Sequence, residues 1–269
     1  MRMTVLALGS GPPVVVVPGV QGRWEWLRPG IEALAARCRV VTFSLADEPS
    51  CGGTFEPARG FDCYVEQVRE ALDAAEIERA TVCGVSYGGL IAAAFASRYP
   101  QRTNGLVLVS ALTPSWRPDA RVRFYLRAPR LLAPLFMLAS LRMYVEIAAA
   151  HGGFAAGLPA AVRHAWNVLT HMFSPTRMAR RVRLLCSMPP IDVSNVRAPV
   201  LLITGEPALD RVVPVHATRE YLRLLPHARV ETLERTGHLG LVTRPEAFAA
   251  LVAPFAAEAA REASRRRVV

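Results

Sequence analysis

The sequence predicts an α/β fold, with a mostly parallel central sheet flanked by helices and an inserted helical segment. Two observations along its 269 residues lead to this prediction. Short apolar runs bounded by turn residues alternate with longer segments of helical period, which is the pattern of βα units in a parallel sheet. Several of these runs consist almost wholly of Val, Leu and Ile, as expected for strands that helices cover on both faces.

The candidate elements alternate along most of the chain. The predicted strands are 3–8, 14–17, 39–43, 80–83, 105–110, 200–204 and 229–233. The predicted helices between them are 26–37, 61–75, 87–98, 214–225 and 245–259. Asp62 suits a helix N-cap, and Pro214 and Pro245 suit the first turn of a helix, where proline's missing N–H leaves no bond unmade.

One interval of 85 residues, 113–197, interrupts the alternation. It has helical composition and many prolines but no convincing strand, and a crossover between parallel strands needs only about a dozen residues. We therefore expect 113–197 to form a helical cap, and 1–112 together with 198–269 to form the core. The interval holds 12 Arg against Asp119, Glu146 and Asp192, so nearly all of the net charge of +10 lies there.

The remaining composition excludes several classes of protein. The five cysteines are scattered without a Cys-x-x-Cys pair, which favours ordinary thiols over a disulfide framework or a zinc site. The apolar N-terminal run is too short for a secretory signal. The apolar stretch 131–150 is a poor membrane span because Pro134, Arg142 and Glu146 interrupt it. These features predict a soluble, cytoplasmic protein with no transmembrane segment.

The motif Gly84-Val85-Ser86-Tyr87-Gly88 fits the pattern Gly-x-Ser-x-Gly. An apolar strand precedes it and a strong helix former follows. A serine at such a tight turn is raised clear of the sheet at a helix N-terminus, where backbone amides favour developing negative charge. The alternative is a glycine-rich turn with an incidental serine. The flanking elements favour Ser86 as a nucleophile.

A serine nucleophile needs a base, and the base needs an orienting acid. Asp210 and His238 follow the strands 200–204 and 229–233, so both are expected at the same sheet edge as Ser86. Glu206 and Asp192 are rival candidates for the acid. The other five histidines lack a comparable context, and we interpret them as surface or packing residues.

These residues carry a resemblance to a known family. The chain resembles the α/β-hydrolase superfamily over essentially its whole length, through GVSYGG at 84–89, LLITGEPALDRVVP at 201–214 and the Gly237-His238 pair. The resemblance implies the triad Ser86, His238 and Asp210, because members keep the acid just before a hydrophobic-Pro step. It implies no metal and no cofactor.

The resemblance also implies an oxyanion hole made by the backbone N–H groups of Val20 and Tyr87. Members often have His-Gly where this chain has Pro18-Gly19, and Gly19 still lets the backbone turn so that Val20 can donate. A second departure follows the third strand, where members often carry a glycine-rich run after an Asp and this chain reads Asp47-Glu48-Pro49-Ser50-Cys51.

A serine nucleophile points to acyl transfer, so we predict a serine carboxylesterase for hydrophobic esters. Trp24, Trp116, Phe136 and Met137 are the candidate substrate-binding residues, and Trp26 is a further candidate beside Trp24. Two alternatives within enzymes are hydrolysis of acyl-carrier (thio)esters and hydrolysis of carbon–carbon bonds in ring-cleavage products. A non-catalytic binding protein of the same fold is a third, which the intact triad disfavours.

The basic cap leaves three interpretations open: a solvated face, an anionic lipid surface or an acidic carrier protein. Nucleic acid is not expected as a partner, because the aromatic residues are not interleaved with the arginines.

Overall fold

The computed structural model describes residues 3–266 and contains one seven-stranded sheet. Its strands are β1 (Leu6–Leu8), β2 (Pro13–Val17), β3 (Arg39–Thr42), β4 (Ala80–Val85), β5 (Thr103–Val109), β6 (Val200–Thr204) and β7 (Arg229–Thr232). They lie in the order β1-β3-β2-β4-β5-β6-β7, and every neighbouring pair is parallel except β1 with β3. The predicted α/β class, the mostly parallel sheet and the seven strands are confirmed, with bounds that move by a few residues.

Twelve α-helices accompany the sheet in the described chain. They are α1 (Arg28–Ala35), α2 (Asp62–Ala74), α3 (Tyr87–Arg98), α4 (Ala120–Arg127), α5 (Ala133–Ser140), α6 (Tyr144–Ala150), α7 (Phe154–Thr170), α8 (Pro175–Ser187), α9 (Val215–Arg219), α10 (Tyr221–Leu224), α11 (Gly240–Thr243) and α12 (Pro245–Arg265). Two predicted bounds were wrong. The helix expected over 214–225 is divided into α9 and α10, and α12 continues to Arg265 although Pro254 lies inside it.

The central strands have a hydrophobic layer on each face. Along β2, Val15 and Val17 belong to the core cluster that includes α2 and α3 residues, whereas Val14 and Val16 belong to the cluster that includes α1 and α12 residues. This alternation is the period of two of a β-strand. All residues of β4 and β5 are buried, so the carboxyl ends of these strands are held rigidly.

The five helices α4 to α8 lie between β5 and β6, and residues 110–199, all of which the structure describes, contain no strand. This arrangement agrees with an inserted helical segment, which we call the insertion (residues 113–197). Its borders as a cap domain stay a prediction. Unlike β4 and β5, α4 and α5 contain no buried residue.

One described segment, Ala133–Ala150, is long and apolar enough by composition to cross a membrane. Length and composition are weak evidence for a span. The segment is divided into α5, a short 3-10 turn at Leu141–Met143 and α6, and its carboxylate, Glu146, is buried against the core.

Candidate active site

Ser86 lies in the sharp turn between β4 and α3. Its backbone adopts φ 54° and ψ −116°, a strained conformation for a residue with a side chain. The two flanking glycines make the turn possible. A Cβ atom at Gly84 would collide with the backbone of Gly88, and one at Gly88 would collide with the carbonyls of Val17 and Pro18. The turn therefore places the serine at the N-terminus of α3, as the motif predicted.

Asp210 and His238 lie in the loops that follow β6 and β7. The Nδ1 atom of His238 is 3.5 Å from Oδ1 of Asp210. The same Oδ1 accepts hydrogen bonds from the N–H groups of Val212 (3.1 Å) and Val213 (3.0 Å), which fix the carboxylate. Gly237 allows the two loops to touch, since a Cβ there would collide with the backbone of Leu209. The structure thus brings the predicted acid and base together.

The pKa values of this pair follow from burial and mutual attraction. Burial opposes ionisation of Asp210, but attraction to His238 and its hydrogen bonds outweigh burial and lower the Asp210 pKa. Burial likewise opposes protonation of His238, but the nearby Asp210 carboxylate, followed by Glu146, raises the His238 pKa above its ordinary value. An imidazolium that forms during catalysis is therefore stabilised here.

The loop after β2 lies beside Ser86. A Cβ at Gly19 would lie 3.5 Å from Cβ of Ser86, so the loop backbone passes directly beside the serine. Tyr87 is the first residue of α3, and its N–H consequently has no acceptor within the helix. Val20 and Tyr87, the predicted oxyanion donors, both line the same cavity as Ser86.

A cavity of about 500 Å³ lies between the sheet edge and the insertion. Ser86 and His238 are both in its wall. No hydrogen bond joins them among residues 3–266, and catalytic hydrogen bonds often tighten only when substrate binds. The wall is largely apolar, and the insertion contributes many of its side chains, including Trp116, Tyr125, Phe136, Met137, Ile147 and Phe173.

Comparison with known proteins identifies the family of the chain. The family model described as the alpha/beta hydrolase family matches residues 14–251. The chain belongs to the alpha/beta hydrolase family. A poly(3-hydroxyalkanoate) depolymerase of Ectopseudomonas oleovorans is 27% identical over 90% of this chain and 83% of its own length. A 2-hydroxy-6-oxo-2,4-heptadienoate hydrolase of Pseudomonas putida is 28% identical over 93% and 91%.

A solved structure shares the fold of this alpha/beta hydrolase. The bromoperoxidase of Bacillus anthracis superposes with a TM-score of 0.72 at 20% identity, covering 93% of this chain and 94% of the other. The family and its named relatives support a hydrolase, and therefore an enzyme, as the function of this chain.

One predicted substrate-binding residue of this hydrolase lies elsewhere. Trp116, Phe136 and Met137 line the cavity as predicted, but Trp24 does not. Trp24 packs against the core cluster beneath the other sheet face, with the Arg28 guanidinium 4.8 Å from its ring centre. Trp26, two residues later, lines the cavity instead. The short 3-10 turn that contains both residues directs the two side chains to different surroundings.

The rival acids are engaged in other contacts. Glu206 follows β6 closely, but its Oε1 accepts a hydrogen bond from the N–H of Arg235 (2.6 Å). Asp192 is exposed and accepts one from Ser194. The contact with His238 therefore favours Asp210 over both alternatives.

The unusual sequence after β3 has a partner in the insertion. The side chain of Arg181 on α8 is completely buried and donates hydrogen bonds to Asp47 Oδ1 (2.5 Å) and Glu48 Oε1 (2.6 Å). Its Nη1 also donates to the carbonyl of Val20 (2.7 Å). One insertion residue thus pairs with both carboxylates and supports the predicted oxyanion loop, in which Gly22 leaves room for the guanidinium. Sequence reasoning noted the acidic pair but missed Arg181.

A second insertion residue reaches the loop that carries His238. Glu146 on α6 is buried, and its Oε1 accepts a hydrogen bond from the N–H of Leu239 (2.6 Å), next to His238. Burial raises the Glu146 pKa to about 7, against the hydrogen bonds from Gly237 and Leu239 and the attraction of His238. Sequence reasoning missed this contact. The available signal was that Glu146 is the only carboxylate between Asp119 and Asp192.

The cavity wall also contains charged groups. Arg121, Arg142 and Arg211 contribute to it, with Asp119 as an acidic residue. The Nε atom of Arg142 is buried and has no hydrogen-bond partner. Such a group can pair with an anionic part of a bound molecule. For metals, no cluster of three or more His, Cys, Asp or Glu side chains suited to a metal ion occurs within residues 3–266.

Proposed function

We propose that this hydrolase cleaves carboxylic esters of hydrophobic acyl groups with Ser86, His238 and Asp210 as its catalytic residues. The observation that carries the proposal is that Ser86, at a strained turn on a helix N-terminus, shares the wall of one largely apolar cavity with His238. A cavity of about 500 Å³ falls within the usual size of small-molecule sites. The contact between His238 and Asp210 supports the assignment of base and acid.

In the proposed reaction, His238 accepts the Ser86 proton while the serine oxygen attacks the acyl carbon. The Val20 and Tyr87 N–H groups donate hydrogen bonds to the oxyanion. His238 then protonates the departing alcohol as the acyl-enzyme forms. Water, deprotonated by the same imidazole, releases the acid and restores Ser86. Asp210 holds the imidazole and stabilises its charged form throughout.

The test is turnover of p-nitrophenyl esters of increasing acyl length by the wild type and by Ser86→Ala. We expect the wild type to prefer medium over very short chains, because the cavity wall is apolar. Ser86→Ala should lower kcat by a factor of about 10⁴ or more. Ser187→Ala, an exposed serine on α8, is the matched control and should keep full activity. A folded wild type that turns over none of these esters would contradict the proposal.

A second candidate is hydrolysis of a carbon–carbon bond in an anionic ring-cleavage product. It is favoured by Arg142, whose buried Nε faces no partner, and by the hydrolase relative whose named substrate is a dienoate. If it is correct, Arg142→Gln should raise KM for such a dienoate about tenfold or more, as expected when a charged hydrogen bond is lost. The KM for an uncharged ester should stay unchanged. Equal effects on both substrates would exclude this candidate.

Hydrolysis of acyl-carrier (thio)esters stays a proposal of the same kind, and the cytoplasmic location stays a prediction. The carrier interpretation predicts turnover of a carrier-bound acyl group that falls as ionic strength rises.

A further inference from the structure

The solvent-facing side of α7 is apolar along its whole length. Five exposed side chains, which we call the α7 stripe, recur every three or four residues and so share one helix face: Phe154, Leu158, Val162, Trp166 and Leu169. Phe154 is 72% exposed and Trp166 is 67% exposed. A helix of 17 residues extends about 25 Å. A row of this length exceeds the scattered apolar residues normal on a protein surface.

A second apolar row lies along α5 and its flanks. Leu131, Leu135, Leu138 and Leu141 are all exposed and also recur every three or four residues. Both rows belong to the insertion, which contains twelve of the fourteen large apolar side chains that are exposed within residues 3–266. The apolar exposure is therefore a property of this part of the molecule.

The charge of the insertion is mostly positive. Residues 120–191 contain seven exposed arginines, Arg121, Arg123, Arg127, Arg130, Arg163, Arg180 and Arg183. The single carboxylate in this interval, Glu146, is buried, and the exposed carboxylates of the insertion are Asp119 and Asp192 near its two ends. The outer surface thus combines large apolar and aromatic side chains with a large excess of positive charge.

We propose that the insertion binds the surface of an anionic phospholipid bilayer through the α7 stripe. A lipid interface matches both properties, since acyl chains accept Phe, Leu and Trp side chains while anionic headgroups attract arginine. A second copy of the chain fits less well, because a twofold contact would place two sets of arginines together with only Asp119 and Asp192 exposed on each insertion to pair with them. An acidic carrier protein would use the arginines but leave the apolar rows uncovered.

The apolar surface is connected to the cavity. Leu141 and Leu169 are more than half exposed, and both also line the cavity that contains Ser86. An apolar substrate dissolved in the bilayer could therefore reach the cavity without crossing water. This route rests on the proposed function, whereas the membrane contact does not.

The test is flotation of the full-length protein with vesicles of phosphatidylcholine alone or mixed with phosphatidylglycerol. We expect binding to the mixed vesicles, weaker binding to the neutral ones, and loss as salt rises from about 0.1 to about 0.5 M. The double variant Leu158→Ser/Trp166→Ser should lower the partition coefficient about tenfold or more, because two anchors are removed. Leu224→Ser, an exposed leucine on α10, is the matched control and should bind as the wild type does.

Two further variants separate charge from apolar contact. Arg163→Glu should weaken binding to mixed vesicles, whereas Arg223→Glu on α10 should not. Trp166 is the exposed one of the four tryptophans, so a blue shift of fluorescence on adding vesicles should disappear in Trp166→Phe while binding persists.

Four outcomes would overturn the proposal: no flotation of the folded wild type with mixed vesicles, equal binding to neutral vesicles, unchanged binding by the double variant, or a dimer that the double variant dissociates without any vesicle binding. Binding of an acidic carrier protein in place of vesicles also contradicts it. Ser86→Ala should float like the wild type. If it does so while the wild type hydrolyses no ester, the membrane inference stands and the proposed function fails.

Discussion

The fifth strand and the fifth helix are both apolar, yet they are used in opposite ways. All seven residues of β5 are buried, whereas none of the eight residues of α5 is. Burial in β5 removes apolar surface from water and stabilises the fold, at about 25 cal/mol per Å². The exposed leucines of α5 provide little of this stabilisation. The exposed apolar residues of the insertion are therefore available for the proposed contact with a membrane, whereas the buried ones of β5 stabilise the fold.

The core and the insertion also differ in the interactions that hold them in place. The core is held by continuous apolar packing on both sheet faces. The insertion is anchored in part by two polar contacts, Arg181 with Asp47 and Glu48, and Glu146 with the Leu239 N–H. Arg181 also donates to the carbonyl of Val20, a proposed oxyanion residue, and Leu239 is adjacent to His238, a proposed catalytic residue. The comparison thus predicts which substitutions change activity, stability or neither.

The largest effect is expected in the core. Asp210→Asn should lower kcat by a factor of about 10³–10⁴, because the amide favours the wrong tautomer of His238. The free energy of unfolding should stay close to that of the wild type, and circular dichroism should show an intact fold. Glu206→Gln is the matched control and should retain activity. Full activity of Asp210→Asn together with an inactive Glu206→Gln would reassign the acid.

The next effect tests the anchor of the insertion. Arg181→Met should lower the free energy of unfolding by about 3–5 kcal/mol, since it removes the buried cation that Asp47 and Glu48 share and leaves them only the more distant Arg180 (3.9 Å) and Arg177 (3.6 Å). It should also lower kcat, because the Val20 carbonyl loses its donor. Arg180→Met removes the adjacent arginine, which is exposed and 3.9 Å from Asp47, and should change stability by less than about 1 kcal/mol. Similar losses in both variants would contradict the role assigned to Arg181.

A smaller effect is expected from substitution of Glu146, and it should appear as a change in how stability depends on pH. Folding raises its pKa to about 7, so its contribution to stability is full below the unfolded pKa and is lost as pH rises through the folded value. Glu146→Gln mimics the protonated form. The variant should therefore match the wild type at about pH 4 and be more stable by about 1–3 kcal/mol at about pH 8 in urea unfolding.

The same variant should change the pH profile of kcat/KM. Asp210 and Glu146 raise the His238 pKa, so the acidic limb of the wild type should lie above about 6.5. Removing the Glu146 charge should move this limb to lower pH. Glu32→Gln, an exposed glutamate on α1, is the control and should leave both profiles unchanged. If the acidic limb of Glu146→Gln coincides with that of the wild type, Glu146 does not influence the His238 pKa.

The smallest effect is expected on the surface of the insertion. Leu158→Ser on α7 should change the free energy of unfolding by less than about 0.5 kcal/mol, because the side chain is already exposed. Leu108→Ala in β5 is the contrasting core variant and should cost about 2–5 kcal/mol. Thermal unfolding of the two variants compares the regions directly. Equal losses would mean that the insertion packs as the core does.

The sequence predicted the sheet well, because its signals are local. Short runs rich in Val, Leu and Ile, as in β2 and β6, indicate buried parallel strands, and the glycines around Ser86 indicate the turn. Asp210 and His238 could be paired because strand ends in a parallel sheet share an edge. These inferences needed only spacing and chain order.

The remainder depends on tertiary contacts that no local pattern encodes. Arg181 is one of twelve insertion arginines, and only the folded chain distinguishes it by burying it beside Asp47 and Glu48. Trp24 and Trp26 are equivalent in the sequence, and the orientation of one short turn decides which reaches the cavity. The position of Glu146 depends likewise on how α6 meets the loop after β7.

The Arg181 contact has a consequence for chimeras in which the insertion of a related enzyme replaces residues 113–197. A chimera that receives a foreign insertion without an arginine at this place would leave Asp47 and Glu48 without the buried guanidinium they share and would remove the donor to the Val20 carbonyl beside Ser86. A redesign that replaces the insertion therefore has to keep Arg181, Asp47 and Glu48 together.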